Sequence, residues 1–200
     1  MKKYLLLILA VLSFSFAFAQ EKGKFRVGLD LGYTIPTEGG GGILFYLEPK
    51  YNVADNINLG LRIGGAVMAR DLFYDDFTED YRGKVAANGS YLATMDYYFD
   101  GSGGKFVPFL GFGLGYYAFA NIEVDSTIPE EDFGTLESRG ALGGMLRGGF
   151  EYRKLRVGLE YNSIPKSNIQ NLQGQNIGRV SNAYFGISIG FYVGGGKWGS

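Results

Sequence analysis

The side chains that could do chemistry in this sequence are carboxylates, basic groups and hydroxyls, because the chain contains neither histidine nor cysteine. Histidine is the commonest general base and metal ligand, and cysteine supplies thiolate nucleophiles and disulfides. Their absence argues against most hydrolase sites and excludes thiolate metal sites. We therefore expect a protein that is not an enzyme and that binds no cofactor.

Acidic residues gather in two segments, 71–83 and 121–140. They are Asp71, Asp75, Asp76, Glu79, Asp80, Glu123, Asp125, Glu130, Glu131, Asp132 and Glu137. Carboxylate clusters of this kind could bind Ca²⁺ or bridge it to lipopolysaccharide, but neither segment has the regular acidic spacing and fixed glycine of a calcium loop. We expect a solvated charged surface, with a cation-binding or partner-binding surface as the alternative and no assigned metal.

A second set of charged residues occupies alternate positions in runs whose intervening residues are apolar. Its members are Arg26, Asp30, Glu48, Lys50, Arg62, Asp96, Arg147, Glu151, Arg156 and Glu160. Alternation at every second residue is the period of a β-strand, so these charges share one face of a sheet. They are five basic and five acidic groups, and equal numbers in a narrow interior should pair, because an unpaired buried charge is costly.

One short connection predicts specific neighbours within this set. Arg147 and Glu151 lie on one run. Arg156 and Glu160 lie on the next, and only residues 153–154 separate the two runs. Because such strands form a hairpin, we expect the inward residues of the two strands to lie within reach of each other.

Eight alternating runs cover the chain, and together they predict an all-β fold. They are residues 25–34, 45–53, 57–68, 85–97, 110–117, 142–152, 155–162 and 184–193. Their apolar faces carry no charge, and each run reaches or approaches the ~9–11 tilted residues that cross a bilayer. The composition fits, because 33 glycines, 16 phenylalanines and 15 tyrosines suit strands that pack rings against small residues.

The volumes of the two faces decide which one points inward. The interior of an eight-stranded barrel is only just wide enough for side chains, so the bulky apolar face must lie outside and the glycine-rich face inside. A continuous apolar band would aggregate in water, so we expect lipid around it. The predicted fold is a closed, antiparallel, eight-stranded transmembrane β-barrel.

The first 19 residues have the pattern of a secretory signal peptide. Lys2 and Lys3 precede an apolar run, and small residues at Ala17 and Ala19 stand before Gln20. We expect cleavage there, which leaves residues 20–200 as one outer-membrane barrel domain of a Gram-negative-type cell. The net charge of −1 gives no reason to expect nucleic acid as a partner.

The lengths of the connections predict the orientation of the barrel. Segments 35–42, 71–83, 121–140 and 164–179 are long, whereas 54–56, 99–105 and 153–154 are short. Barrels of this class have short periplasmic turns and longer extracellular loops. We therefore expect both termini in the periplasm, which makes the number of strands even. We also expect a monomer.

Several segments also resemble the porin-like outer-membrane β-barrel domain family. The likeness covers about residues 24–198 and rests on Pro108–Tyr117, on Leu146–Tyr152 continuing into Arg156–Asn162, and on Gly194–Trp198. The resemblance implies an eight-stranded barrel in the outer membrane and supplies no catalytic residues. We expect outer-membrane lipid, lipopolysaccharide and the barrel-insertion machinery as partners.

Two functions remain compatible with these features. A selective pore usually presents a ring of charges of one sign, whereas the ten inward charges here are balanced. This favours a barrel whose lumen is plugged by charge pairs and whose role is structural, surface-binding or adhesive. The alternative is a small passive porin for ions or small solutes, because the inward glycines leave space that water could occupy.

Overall fold

The computed structural model describes residues 22–37, 39–75, 80–99, 105–125, 138–170 and 176–195. The proposed signal peptide, residues 1–19, lies outside this part of the chain. No helix among the described residues is long and apolar enough to span a membrane.

Ten β-strands form the described structure, and eight of them close a barrel. The strands are β1 Phe25–Pro36, β2 Gly41–Ala54, β3 Ile57–Asp75, β4 Asp80–Tyr98, β5 Phe106–Asp125, β6 Ser138–Tyr152, β7 Leu155–Ser163, β8 Ser167–Gln170, β9 Asn176–Val180 and β10 Tyr184–Gly194. The barrel order is β1-β10-β7-β6-β5-β4-β3-β2, whereas β8 and β9 form a separate two-stranded sheet. All barrel pairs are antiparallel, so the predicted closed, antiparallel, eight-stranded fold is confirmed.

Alternate residues of the barrel strands face opposite environments, as the sequence pattern predicts. Along β10 the burial alternates without interruption from Tyr184 to Tyr192. On the outer face Leu114 is 64% exposed and Ile187 is 47% exposed, whereas the inward Arg62 is 1% exposed. The bulky apolar side chains therefore form the outer surface of the barrel, and the polar side chains fill its interior.

Inward glycines let the strands approach one another closely. A Cβ atom at Gly149 would overlap the carbonyl oxygen of Val157, and one at Gly115 would overlap that of Tyr91. Because no other residue lacks a Cβ, these positions require glycine at the present strand spacing. Glycine thus fits a narrow, strongly curved barrel.

The barrel has two different rims. The turn rim is formed by the connections 55–56, 99–105 and 153–154, and the loop rim lies at the opposite ends of the strands. Arg153 has φ = 56° and so takes a left-handed conformation in its two-residue turn. Positive φ is typical of the tight hairpins that match the twist of antiparallel strands.

The strands at the loop rim extend further than the sequence pattern indicates. Segments 71–83 and 121–140, expected to be loops, contain the ends of β3 and β5 and the starts of β4 and β6, with Asp75 opposite Asp80. Segment 164–179 contains β8 and part of β9. Those expectations are wrong in part, because apolar alternation marks only the lipid-facing part of a strand, whereas backbone pairing continues beyond it.

Candidate functional site

The lumen holds the charges that the strand pattern assigns to the inner face. All ten are at most 8% exposed, although they come from six different barrel strands. Burial of so many ionised groups is favourable only when each is paired and hydrogen-bonded. The partners of each group therefore determine what the lumen can do.

Arg147 is the centre of the largest group of charges. Its Nη1 and Nη2 donate to the two carboxylate oxygens of Glu48 at 2.9 and 2.6 Å, and its Nε donates to Asp96 Oδ1 at 2.8 Å. Lys50 Nζ lies 3.2 Å from Glu48 Oε2 and also pairs with Asp96. The Thr94 hydroxyl donates to Glu48 at 2.6 Å. Two carboxylates are thus shared by two cations in a bidentate geometry that is among the strongest in proteins.

Arg156 joins the same group through longer contacts. Its Nη1 lies 3.3 Å from Glu48 and 3.9 Å from Asp30, and its Nη2 lies 3.6 Å from Asp96. The guanidinium also lies over the ring of Phe109, 4.7 Å from the centroid. We call Asp30, Glu48, Lys50, Asp96, Arg147 and Arg156 the central cluster; its three cations and three anions balance.

A second charge pair lies on the loop-rim side of the central cluster. Arg62 Nη2 donates to both oxygens of Glu160 at 2.7 Å, while its guanidinium stacks 3.3 Å from the ring centroid of Tyr46. Glu160 also accepts hydrogen bonds from Tyr46 at 3.2 Å and from Asn162 at 2.7 Å. The carboxylate is therefore well satisfied without any water.

A third charge pair lies on the turn-rim side. Arg26 donates two hydrogen bonds to Glu151, and the Tyr98 hydroxyl donates to Glu151 Oε1 at 2.9 Å. The Arg26 guanidinium lies 3.8 Å from the ring centroid of Tyr192. Each of the ten predicted charges therefore has an opposite charge within 4.0 Å.

The partners differ from those expected at the hairpin between β6 and β7. The register does set Arg147 opposite Glu160 and Glu151 opposite Arg156. However, Glu160 pairs with Arg62 and Glu151 pairs with Arg26, both on distant strands. The inward residues are thus neighbours across the hairpin, as expected, but these two glutamates pair with arginines of other strands, because long inward side chains on adjacent strands project in parallel and reach across a narrow lumen.

Two layers of buried apolar side chains lie in the lumen, one on each side of the charges. The loop-rim layer consists of Leu44, Tyr46, Ala66, Met68, Ala86, Leu92, Tyr117, Met145, Ile164 and Tyr184. The turn-rim layer consists of Tyr98, Val107, Phe109 and Tyr192. Sequence reasoning missed both layers, although the inward positions of the tyrosines follow from the strand alternation. The signal that could have indicated these layers was the presence of bulky aromatic residues at inward positions near both ends of the strands.

Little empty space remains between these groups. A cavity bordered by Asp30, Arg62, Arg156 and Ser188 has a volume of about 10 Å³. That is close to the minimum for a single water molecule. The charged groups that border this cavity are therefore closely packed around it.

Most of the proposed acidic surface lies outside the described residues. Asp76, Glu79, Glu130, Glu131 and Asp132 lie there. The backbones of Asp71 and Asp75 belong to β3 and that of Asp80 to β4. Among the residues that were described, no three carboxylates are grouped as metal ligands. The cation-binding or partner-binding surface stays a prediction.

Comparison with known proteins agrees with this architecture. The chain is 30% identical over 131 residues to outer membrane protein W of Salmonella typhi and to that of Salmonella typhimurium, a match that spans 60% of the chain and 61% of the relatives. It thus covers about three fifths of the length of these curated relatives. No protein-family model matches the chain.

Solved structures provide the comparison of folds. The outer membrane protein OprG of Pseudomonas aeruginosa superposes with a TM-score of 0.58 at 14% identity, covering 88% of this chain and 98% of OprG. Neisserial surface protein A superposes with a TM-score of 0.51 at 17% identity, covering 86% of this chain and 99% of its own. Together with the closed barrel and its apolar outer surface, these similarities show that the chain has the fold of the small eight-stranded β-barrel proteins of the outer membrane.

Proposed function

We propose that this protein is a non-conducting barrel that presents its loop-rim segments at the cell surface in a structural, surface-binding or adhesive role. The observation that carries the proposal is the filling of the described lumen by side chains. Three balanced groups of charges lie between two apolar layers, and the cavity among them is about 10 Å³. Solute passage would require the separation of buried ion pairs, which is unfavourable in a low-dielectric interior.

The length of the hairpins at the loop rim supports a role for that end of the molecule. Strands β3, β4 and β5 contain 19, 19 and 20 residues, whereas β7 contains nine. Strands of ~9–11 residues suffice to cross a bilayer, so the longer hairpins extend past the lipid. The acidic segments 71–83 and 121–140 lie at their tips. A projecting charged surface suits recognition rather than catalysis.

The proposed orientation places the loop rim outside the cell and both termini in the periplasm. Short turns at one rim and long connections at the other support this arrangement, which is usual for outer-membrane barrels. Lipopolysaccharide would then surround the loop rim and phospholipid the turn rim. The insertion machinery would receive the chain from the periplasmic side.

A small passive porin is the second candidate function. Arg156 borders the small cavity, and its contacts to the carboxylates are longer than those of Arg147, between 3.3 and 3.9 Å. Its side chain is therefore the one in the central cluster that could move most easily. A shift of this side chain would enlarge that cavity. The passage would still have to cross both apolar layers, so the closed barrel remains the better supported function.

Swelling of vesicles in isosmotic solutions of small sugars or amino acids distinguishes the two candidates. A closed barrel leaves the swelling rate equal to that of vesicles without protein, whereas a porin increases it in proportion to the protein content. Protein folded into the vesicles is verified by its β-sheet circular dichroism. Solute-dependent swelling by folded wild-type protein would exclude the proposed function.

A further inference from the structure

Basic residues concentrate at the turn rim. The described residues of this rim include five exposed basic side chains, Lys22, Lys24, Lys105, Arg153 and Lys154. Among the described residues of this rim Asp55 is the acidic one, and it accepts a hydrogen bond from the backbone N–H of Lys22 at 3.1 Å. The turn rim thus has an excess of positive charge, in contrast to the acidic segments at the loop rim.

Four of these cations lie on one continuous arc of the barrel, which we call the basic arc. Lys24 precedes β1, Arg153 and Lys154 connect β6 to β7, and Lys105 precedes β5. The strands β1, β10, β7, β6 and β5 are consecutive neighbours in the barrel. The arc therefore covers more than half of the turn rim.

Hydrogen bonds fix the connections of the basic arc to one another. The Arg153 N–H donates to the Lys105 carbonyl at 3.0 Å, which joins the turn after β6 to the start of β5. Lys154 Nζ donates to the Gly194 carbonyl at 2.7 Å, at the end of β10. Because these hydrogen bonds fix the turn to the neighbouring strand ends, its charged residues stay at a defined level along the barrel axis.

Each cation of the basic arc is next in sequence to an apolar residue on the outer face. The neighbours are Phe25, Phe106, Tyr152 and Leu155, which are 59, 55, 45 and 51% exposed. Phe106 is opposite Tyr152 in the register, and Tyr152 is opposite Leu155, so three of them form a row across β5, β6 and β7. Aromatic side chains at the end of a lipid-facing surface are typical of the headgroup level.

We propose that the basic arc binds the phosphate groups of anionic phospholipids, whose acyl chains lie against the apolar row below it. Arginine and lysine are the usual ligands of phosphate oxygens, and a basic residue near an anionic lipid surface attracts it strongly enough to change local lipid composition. The exposed side chains of the arc and the apolar row beside it belong to the same described strand ends. This binding surface is independent of whether the lumen conducts.

Lipid retained by the protein provides the test. Protein folded into mixed vesicles of phosphatidylcholine and phosphatidylglycerol is extracted in mild detergent, purified, and its bound lipids are quantified. We expect phosphatidylglycerol to be enriched over its share in the vesicles. The double variant Lys105→Gln, Arg153→Asn should lose most of this enrichment, because each cation removed should lower the affinity for phosphatidylglycerol about fivefold. Asparagine tolerates the left-handed backbone at position 153, so the turn is preserved.

Matched variants separate headgroup binding from general effects of charge. Lys84→Gln with Lys166→Gln removes two cations from the loop-rim side and should retain the enrichment, as should the conservative change Lys105→Arg. Replacing chloride by inorganic phosphate at equal ionic strength should leave the phosphatidylglycerol enrichment of the wild type unchanged, because the protein holds the lipid by both its phosphate and its acyl chains. No enrichment in the wild type, equal loss in the two double variants, or competition by free phosphate would each overturn the proposal.

Discussion

At the scale of single residues, Glu160 shows most clearly how the lumen is held together. It is buried, accepts two hydrogen bonds from Arg62 and receives others from Tyr46 and Asn162. The sequence predicted that Glu160 faces inward, because its run alternates with period two. It could not predict Arg62 as the partner, because strand alternation gives the face of a residue but not the side chains that meet across the lumen.

Glu160→Gln should lower the free energy of unfolding by about 3–5 kcal/mol, since it leaves Arg62 buried without its counter-charge. Adding Arg62→Gln should recover part of the loss, because the effects of two substitutions within one ion pair on the free energy of unfolding are not additive. Adding Arg26→Gln, which belongs to a different pair, should make the loss larger. Urea unfolding of the protein in lipid vesicles measures all three. Purely additive effects of Glu160→Gln and Arg62→Gln would contradict the pairing.

Arg147 should be the most sensitive member of the central cluster, because it contacts both Glu48 and Asp96. Arg147→Gln leaves two buried carboxylates short of a cation and should destabilise the barrel by at least as much as the loss of one buried pair, about 3–5 kcal/mol. Arg156→Gln, which removes longer contacts, is the matched comparison and should cost less. The reverse order of the two urea midpoints would show that Arg156 is the main counter-ion.

At the scale of strands, the sequence predicted most of the barrel but not its full height. All eight runs correspond to barrel strands, and the inward and outward faces agree wherever side chains are described. The extensions of β3, β4 and β5, and the small sheet of β8 and β9, were not predicted. Outside the lipid both faces of a strand are polar, so hydrophobic alternation disappears although the backbone pairing continues.

The assignment of the lipid face predicts a strong dependence on depth for an introduced charge. Leu114→Arg, near the middle of the apolar surface, should lower the unfolding free energy by ~2–4 kcal/mol, whereas Leu155→Arg at the turn rim should cost ~0–1 kcal/mol. Both leucines are exposed, so packing losses are small and similar. Equal costs in lipid vesicles would contradict either the outward face of Leu114 or the position of the membrane.

At the scale of the whole molecule, the two rims differ in connection length and in charge. Long acidic hairpins lie at one rim, and short basic turns lie at the other. The sequence predicted the difference in connection length and the acidic segments, because both can be read directly from the chain, but the basic turn rim emerged only from the structure. It did not predict the two apolar layers of the lumen, because they form only when inward residues from separate strands come together.

Protease access on intact cells tests the orientation of these rims. A glutamate-specific protease should cleave between β5 and β6, where Glu130 and Glu131 lie, without permeabilisation. Trypsin should cleave at Arg153 or Lys154 only after the outer membrane is opened. Cleavage with the opposite dependence would reverse the proposed topology while leaving the barrel itself intact.

The proposal that the lumen is closed is tested most directly by recording current across planar lipid bilayers that contain the wild-type protein. The paired charges and the two apolar layers predict no stepwise increase in conductance, even when recovery of the folded protein from the bilayer lipids shows that it inserted. Heat-dependent migration in detergent gels provides that insertion control. Reproducible single-channel steps in proportion to the inserted protein would contradict the closed barrel and establish the small porin in its place.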